Sequence, residues 1–517
     1  MTNLMQSVSP LAFTPSAAQQ TYFDWIDNGT GSAVLEAVAG AGKTTTIING
    51  LRHMDGQVIF LAYNAAAAAD LYARIPTDRR GAFAKTFHAV GVNALRYAFG
   101  KSNELKVDAN KTAKIAKALL LERSKPELLD LTAAIGAFVG MAKQRGLGAL
   151  TALDDDNAWL AMVDHFALDD SLPDGFEGYV LTTIKLAQEV LRRSNADLDT
   201  IDFDDMVYLP LQRRLRLFQH DWVVIDEAQD TNPTRRALAA ALLRPGGRLV
   251  AVGDRAQAIY GFTGTDNDSL EQLEEAFGCE RLPLTVSYRC PKAVVAEARK
   301  YAPHIEAADT AVDGYVGRYG FDDIVGAVEV GDAVLCRFNK YLVALAFKLI
   351  RSGVPAKIEG RDVGNGLIKL ATRWKRVKTL TALEDKLEEY LDAERVKAKA
   401  KDDARRAQDA EDRVETVRVL IERTREQGGD TVDALCAVIG ALFEDKAGES
   451  TPCVVLCSGH KSKGREWNRV HLLGLEELQP ARTSRDWQAK QEVNLMYVMV
   501  TRAKAELFIV GGVKEPK

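Results

Sequence analysis

The chain has 517 residues, 47% of them apolar and 27% charged, the mix of a well-buried globular protein. Lys and Arg total 67 against 72 Asp and Glu, a net charge of −5, which excludes a tail-driven polycation but not a basic groove on an acidic body. At about 150 residues per domain, this length predicts three to four domains.

Met1 to Phe13 has no basic stretch and no long apolar core, so it is not expected to be a signal peptide. Ala33–Val38 reads as an apolar strand before a Gly-rich turn, and Val58–Tyr63 as another before an alanine-rich helix. From about Lys101 to Thr200 the apolar spacing is mostly helical, with turn signals at Gly146-Leu-Gly148 and Pro173-Asp-Gly175. Strands resume at Trp222–Ile225 and Arg248–Val252, then at Ala333–Cys336, Val454–Cys457 and Leu507–Val510. Short apolar strands alternating with helices predict an α/β fold with parallel sheets.

The run Leu367 to Gln427 contains no Gly or Pro and is crowded with charge. Leu380, Leu383, Leu387 and Leu391 form one apolar seam, and Val414, Val417 and Ile421 another. Two long antiparallel amphipathic helices with a polar tip are expected, forming a solvated arm that adds little to the neighbouring core. No window reaches about 18 uninterrupted apolar residues, so no membrane span is expected. The six cysteines include no C-x2-C pair, so neither a disulfide framework nor a zinc site is expected, and the expected setting is a reducing cytoplasm or an equivalent compartment.

Chemistry first enters at Glu36-Ala-Val-Ala-Gly-Ala-Gly-Lys-Thr-Thr45. In Ala39, Gly40, Ala41 and Gly42, small residues let backbone N–H groups approach phosphate oxygens, and the helix opening near Thr45 adds its partial positive charge. Lys43 is placed for the β- and γ-phosphates, and Thr44 offers a hydroxyl to Mg²⁺. The usual pattern begins with Gly, where this chain has Ala37. Downstream, Trp222-Val-Val-Ile-Asp-Glu-Ala-Gln-Asp230 is a buried strand ending in two carboxylates. Asp226 is expected to hold Mg²⁺ and Glu227 to polarise an attacking water. Together the two segments imply a nucleoside triphosphatase.

Further strings follow in order: Thr86-Phe-His88, Val252-Gly-Asp-Arg-Ala-Gln-Ala-Ile-Tyr-Gly-Phe262, Ser287-Tyr-Arg289, His460-Lys-Ser-Lys-Gly-Arg-Glu-Trp467 and Tyr497-Val-Met-Val-Thr-Arg-Ala-Lys504. With them the chain resembles a superfamily 1 helicase of the UvrD/Rep type. That resemblance implies two RecA-like P-loop motor lobes with parallel sheets, each interrupted by a mainly helical insert. Residues 1–100 and 201–284 would form the first lobe and 101–200 its insert; 285–363 and 450–517 the second lobe and 364–449 its reduced insert. It implies ATP and Mg²⁺ as cofactors, with Gln19 reading adenine (Gln20 being the alternative register), Tyr288 stacking on it and Glu466 near the ribose. Gln257 would sense the γ-phosphate, and Arg289 and Arg502 would stabilise its charge in the transition state. Tyr63, Thr86, Phe87, His88, Tyr260, Phe262 and His460 would line a channel for single-stranded DNA, where stacking on Tyr63 and Phe262 tolerates any sequence.

Single-stranded and tailed duplex DNA are the implied partners, with an accessory repair or replication protein also possible. The implied activity is 3′-to-5′ translocation with unwinding; the alternative is a DNA-dependent ATPase that remodels protein–DNA or recombination intermediates. The chain departs from the family pattern at Ala62, Ala65, Thr263 and Thr265, all in DNA-facing strings, while the phosphate loop and arginines are intact. Fifteen residues follow Arg502, so no C-terminal nuclease domain is expected.

Overall fold

The computed structural model describes residues 13–100, 105–173, 175–261, 264–266, 268–359, 361–400, 404–443, 452–476 and 486–513. The chain forms two compact units. One comprises Met1–Ala37, Gly42–Arg255 and Phe262–Leu284; the other takes in Val38–Ala41, Ala256–Gly261 and Thr285–Lys517.

The first unit is built on a six-stranded, wholly parallel sheet ordered Ala82–Thr86, Val58–Ala62, His220–Ile225, Leu243–Gly253, Ala33–Ala37, Glu280–Leu284. The runs Val58–Ala62, Trp222–Ile225 and Leu249–Val252 of the inner strands are apolar and buried, as expected where helices cover both faces of a sheet. Val34, Ile59, Val223, Ile225 and Ala251 are buried in one such layer. The two edge strands escape the sequence pattern: Ala82–Thr86 alternates exposed and covered residues, and Glu280–Leu284 exposes Glu280, Arg281 and Pro283.

Between residues 100 and 205 lie helices Lys111–Glu122, Thr132–Arg145, Asp156–Phe166 and Val180–Ala196. They enclose their own core around Leu119, Phe138, Trp159 and Val190. A buried ionic cluster joins this layer to helix Asp205–Gln212. Lys143 Nζ lies 2.6 Å from Asp202 and 2.7 Å from Asp205, and Lys111 Nζ lies 2.8 Å from the other Asp205 oxygen.

The second unit has its own six-stranded parallel sheet, ordered Tyr315–Gly320, Ala503–Gly511, Trp467–Leu473, Ala333–Cys336, Val454–Ser458, Ala356–Glu359. The charged run contains helices Leu380–Ala400 and Ala404–Glu426. Their pairing is antiparallel, since Arg425 meets Glu384 while Arg395 meets Glu411. Both expected seams are buried.

The expectation that this arm adds little to the lobe fails. Its leucines belong to the same core as Leu342, Leu345 and Leu349 of helix Asn339–Arg351. The Asp412 carboxylate also accepts from the Asn339 and Lys340 amides at 3.2 and 3.1 Å. Val419 and Leu420 lie off the Val414–Ile421 seam and give the second helix another buried side. Among the described residues, no helix is long and apolar enough to cross a membrane.

Candidate nucleotide and nucleic-acid site

In the first unit, strand Ala33–Ala37 precedes the loop and helix Lys43–Gly50 follows it. Gly40 and Gly42 have φ of 76° and 78°, left-handed values at which a side chain would be strained. Gln19 fixes the start of the helix: its amide donates to Thr46 Oγ1 at 2.8 Å, and Thr46 Oγ1 donates to the Gly42 carbonyl at 3.0 Å. Gln19 also accepts from the Ser16 amide at 3.0 Å, closing a capping box. Gln20 is exposed and bonded to Asp24, so Gln19 is the glutamine beside the loop.

Strand His220–Ile225 ends at Asp226 and Glu227, and Lys43 Nζ lies 3.4 Å from Glu227 Oε1. Glu227 has φ 51°, a left-handed conformation costly for a non-glycine residue. Asp226 is buried, and burial together with the adjacent Glu227 charge pushes its pKa up to about 7, against the opposing pull of Lys43. A carboxylate so poorly compensated fits a divalent cation. Among the described residues no cluster of three or more His, Cys, Asp or Glu could hold one. Mg²⁺ on Asp226 and Thr44 would therefore take its other ligands from phosphate and water.

Gln229, given no role from sequence, bridges this end of the sheet. Its amide donates to Glu227, and its oxygen accepts from the Asp254 amide at 3.1 Å. Arg255, in the same string as Gln257, is held by Glu36, Glu271 and Glu274.

The second unit includes the loop segment Val38–Ala41. There the Ala39 amide donates to the Tyr497 hydroxyl at 2.9 Å, and the Tyr288 amide donates to the Gly40 carbonyl at 2.9 Å. A Cβ on Gly40 would sit 2.5 Å from Arg289 Cβ, so this glycine lets Arg289 approach. Arg289 pairs with Glu466 at 2.7 Å. Tyr288 is 52% exposed, with its ring available to a ligand. Arg502 is buried and donates to the Val498 and Arg465 carbonyls at 2.7 and 3.1 Å. Gln257 is also buried, its carbonyl accepting from Lys463 Nζ at 2.7 Å.

The expected DNA-facing residues divide. Tyr63 is half-buried, with the Arg235 guanidinium 4.7 Å over its ring. Thr86 caps helix Phe87–Ala98, its hydroxyl accepting from the Ala89 amide at 3.1 Å. His88 is partly buried, and burial aided by Arg235 lowers its pKa to about 4, so it is neutral at physiological pH. Phe87 is corrected: it is 1% exposed within the sheet's core and offers no face to a base. Its position right after a strand places it under the helix it begins. Tyr260 packs on Ile259, Leu495 and Val498, with Lys463 Nζ 4.8 Å over its ring. His460 lies half-buried just past strand Val454–Ser458. Phe262 lies outside the described residues.

A Gly-rich loop between a buried strand and a helix, with an acidic pair ending another strand of the same sheet, defines a P-loop nucleotide-binding protein. The chain belongs to the UvrD/REP helicase family: the UvrD/REP helicase N-terminal domain matches residues 19–278, and the UvrD-like helicase C-terminal domain residues 366–512. It is 24% identical over 380 residues to the ATP-dependent DNA helicase UvrD1 of Mycobacterium tuberculosis, covering 63% of this chain and 48% of that protein. It is 24% identical to the ATP-dependent DNA helicase Rep of Escherichia coli over 48% of this chain and 37% of Rep. DNA helicase IV of the same organism is 26% identical over 51% of this chain and 43% of its own. The chain thus spans about half the length of these relatives, or less.

Proposed function

We propose that this chain is an ATP-driven motor that moves 3′-to-5′ along single-stranded DNA and unwinds duplex from a single-stranded tail. The observation that carries the ATPase reading is the Asp226–Glu227 pair beside the glycine loop, with Asp226 buried and Glu227 3.4 Å from Lys43. Glu227 would polarise a water whose oxygen attacks the γ-phosphorus, taking up the proton as the bond to the β–γ bridging oxygen breaks. Lys43 would draw charge from the β- and γ-phosphates, and Arg289 and Arg502 would stabilise the charge that develops on the transferred group. Thr44 and Asp226 would hold Mg²⁺, which would neutralise charge at the phosphates. Gln257 would report the γ-phosphate; Gln19, Tyr288 and Glu466 would hold the nucleoside.

DNA as the track, and the polarity, rest on family membership and on the strings that carry Tyr63, Thr86, His88, Tyr260, Phe262 and His460. Residues 101–200 and 364–449 are assigned as the inserts of the two lobes.

The test measures ATP hydrolysis with and without single-stranded DNA, then strand displacement on 3′-tailed and 5′-tailed duplexes. Stimulated hydrolysis with displacement from the 3′ tail alone is expected. Hydrolysis indifferent to DNA removes the motor reading. Strong stimulation without displacement on either tail identifies a remodeller of protein–DNA complexes instead.

A further inference from the structure

The first unit contains a cavity of about 750 Å³ that no expected site residue lines. One wall is helix Phe87–Ala98, which presents Val90, Asn93, Ala94 and Tyr97 at helical spacing. His88 falls on the opposite side of that helix, so this wall faces away from the residue expected to meet the DNA track. Edge strand Ala82–Thr86 contributes Phe83 and Lys85, two residues apart and therefore on one face. The segment leading into strand His220–Ile225 supplies Arg216 and Phe218.

The floor is aliphatic, made by Ile59, Leu217 and Leu242, but the rim is not. Three aromatic rings stand there open to solvent: Tyr97 at 88%, Phe218 at 67% and Phe83 at 39% exposure. Large rings left this exposed present faces rather than fill a core. Lys85, Arg216 and Arg244 add three cations, and no carboxylate lines the cavity. Arg244 is shared with Asp221 at 2.8 Å. Lys85 and Arg216 have no ion-pair partner among the described residues. His220, only 4% exposed, also lines the cavity, and its Nδ1 has no hydrogen-bond partner.

We propose that this cavity is a second binding site for single-stranded nucleic acid, with bases stacked on Phe83, Tyr97 and Phe218 and phosphates on Lys85, Arg216 and Arg244. Open rings interleaved with cations suit a strand whose every base has a π-face and whose backbone is uniformly anionic. A protein segment would be expected to cover the rings of a packed pocket, whereas these rings stand along the edge of an open one. The site needs no nucleotide, so it stands or falls apart from the motor reading.

The test uses the full chain without ATP and an oligothymidylate of about 30 nucleotides, long enough to engage more than one region of the protein. In the first measurement the oligonucleotide carries 5-iodouracil, and photocrosslinks are mapped by mass spectrometry. Crosslinks are expected on the peptides holding Tyr97 and Phe218, and they should vanish in a Tyr97→Ala/Phe218→Ala variant. In the second, fluorescence anisotropy gives the salt dependence of binding for wild type and for Lys85→Ala/Arg216→Ala. The log–log slope should fall by about 1.4, since each single-strand phosphate that the variant no longer neutralises accounts for about 0.7. Lys85 and Arg216 are exposed, so these substitutions should leave the fold intact, which a circular dichroism melt checks. Both results together support the site. A wild-type slope in the double variant, or crosslinks only outside these two peptides, overturns it and leaves the cavity as a surface for a protein partner.

Discussion

Lys43 and Glu227 face each other, with 3.4 Å between the ammonium and the carboxylate. One opens the helix after the glycine loop, and the other ends a strand two places away in the same sheet. Each is half of a different step, so their losses should differ in kind. Lys43→Ala is expected to abolish hydrolysis by removing the charge that meets the phosphates. Glu227→Gln is expected to retain ATP binding while turnover falls by a factor of about 10² to 10⁴, the usual worth of a positioned base. Equilibrium binding of a fluorescent ATP analogue beside steady-state turnover separates the two, and wild-type turnover in Glu227→Gln would refute the assignment.

Tyr497 occupies an amide of the phosphate loop, that of Ala39, at 2.9 Å. If phosphate oxygens take that amide when nucleotide binds, the phenol competes with them. Tyr497→Phe removes the competitor, and a hydrogen bond worth about 1 kcal/mol corresponds to roughly fivefold tighter ADP binding. Calorimetry reads this directly. Weaker binding would mean that the phenol instead holds the loop in its binding shape.

The cluster of Lys111, Lys143, Asp202 and Asp205 is nearly sealed from water. Removing one member strands the others without compensation, which costs about 3 to 5 kcal/mol. Asp205→Ala should lose that much in urea denaturation followed by far-UV circular dichroism. A loss under about 1 kcal/mol would show that the helical layer is held on by its apolar core alone.

His88 gives a pH dependence of definite sign. Its pKa is lowered from 6.5 to about 4, so between those values the unfolded chain binds a proton that the folded site refuses. Stability therefore falls as the pH drops from about 6.5 towards 4, by at most about 3.4 kcal/mol at 1.36 kcal/mol per pH unit. A His88→Asn variant lacks this term and should gain on wild type as the solution is acidified. Melting temperatures measured from pH 7 to pH 4.5 test it, and parallel curves for the two proteins would refute it.

Much of the machinery was legible in the linear chain because it is local. The glycine loop, its lysine and the Asp226–Glu227 pair each sit within ten consecutive residues, where a strand, a turn and a helix start constrain one another directly. The buried runs Val58–Ala62, Trp222–Ile225 and Leu249–Val252 were legible for the same reason, being apolar throughout. Edge strands such as Ala82–Thr86 were not, since half their residues face water.

What tertiary structure alone decided are pairings between distant parts of the chain. Thr46 under Gln19, Tyr497 on Ala39, Asp412 on helix Asn339–Arg351, and Lys143 between Asp202 and Asp205 all join residues that nothing in their own segments marks as partners. The same holds for Phe87. Its string resembled a DNA contact, yet the packing of its helix on the sheet buried it, while Tyr97 and Phe218, in no motif, were left open. Local spacing sets which backbone shapes and chemistries a segment offers; burial depends on which other segments cover it, and that only the folded chain supplies.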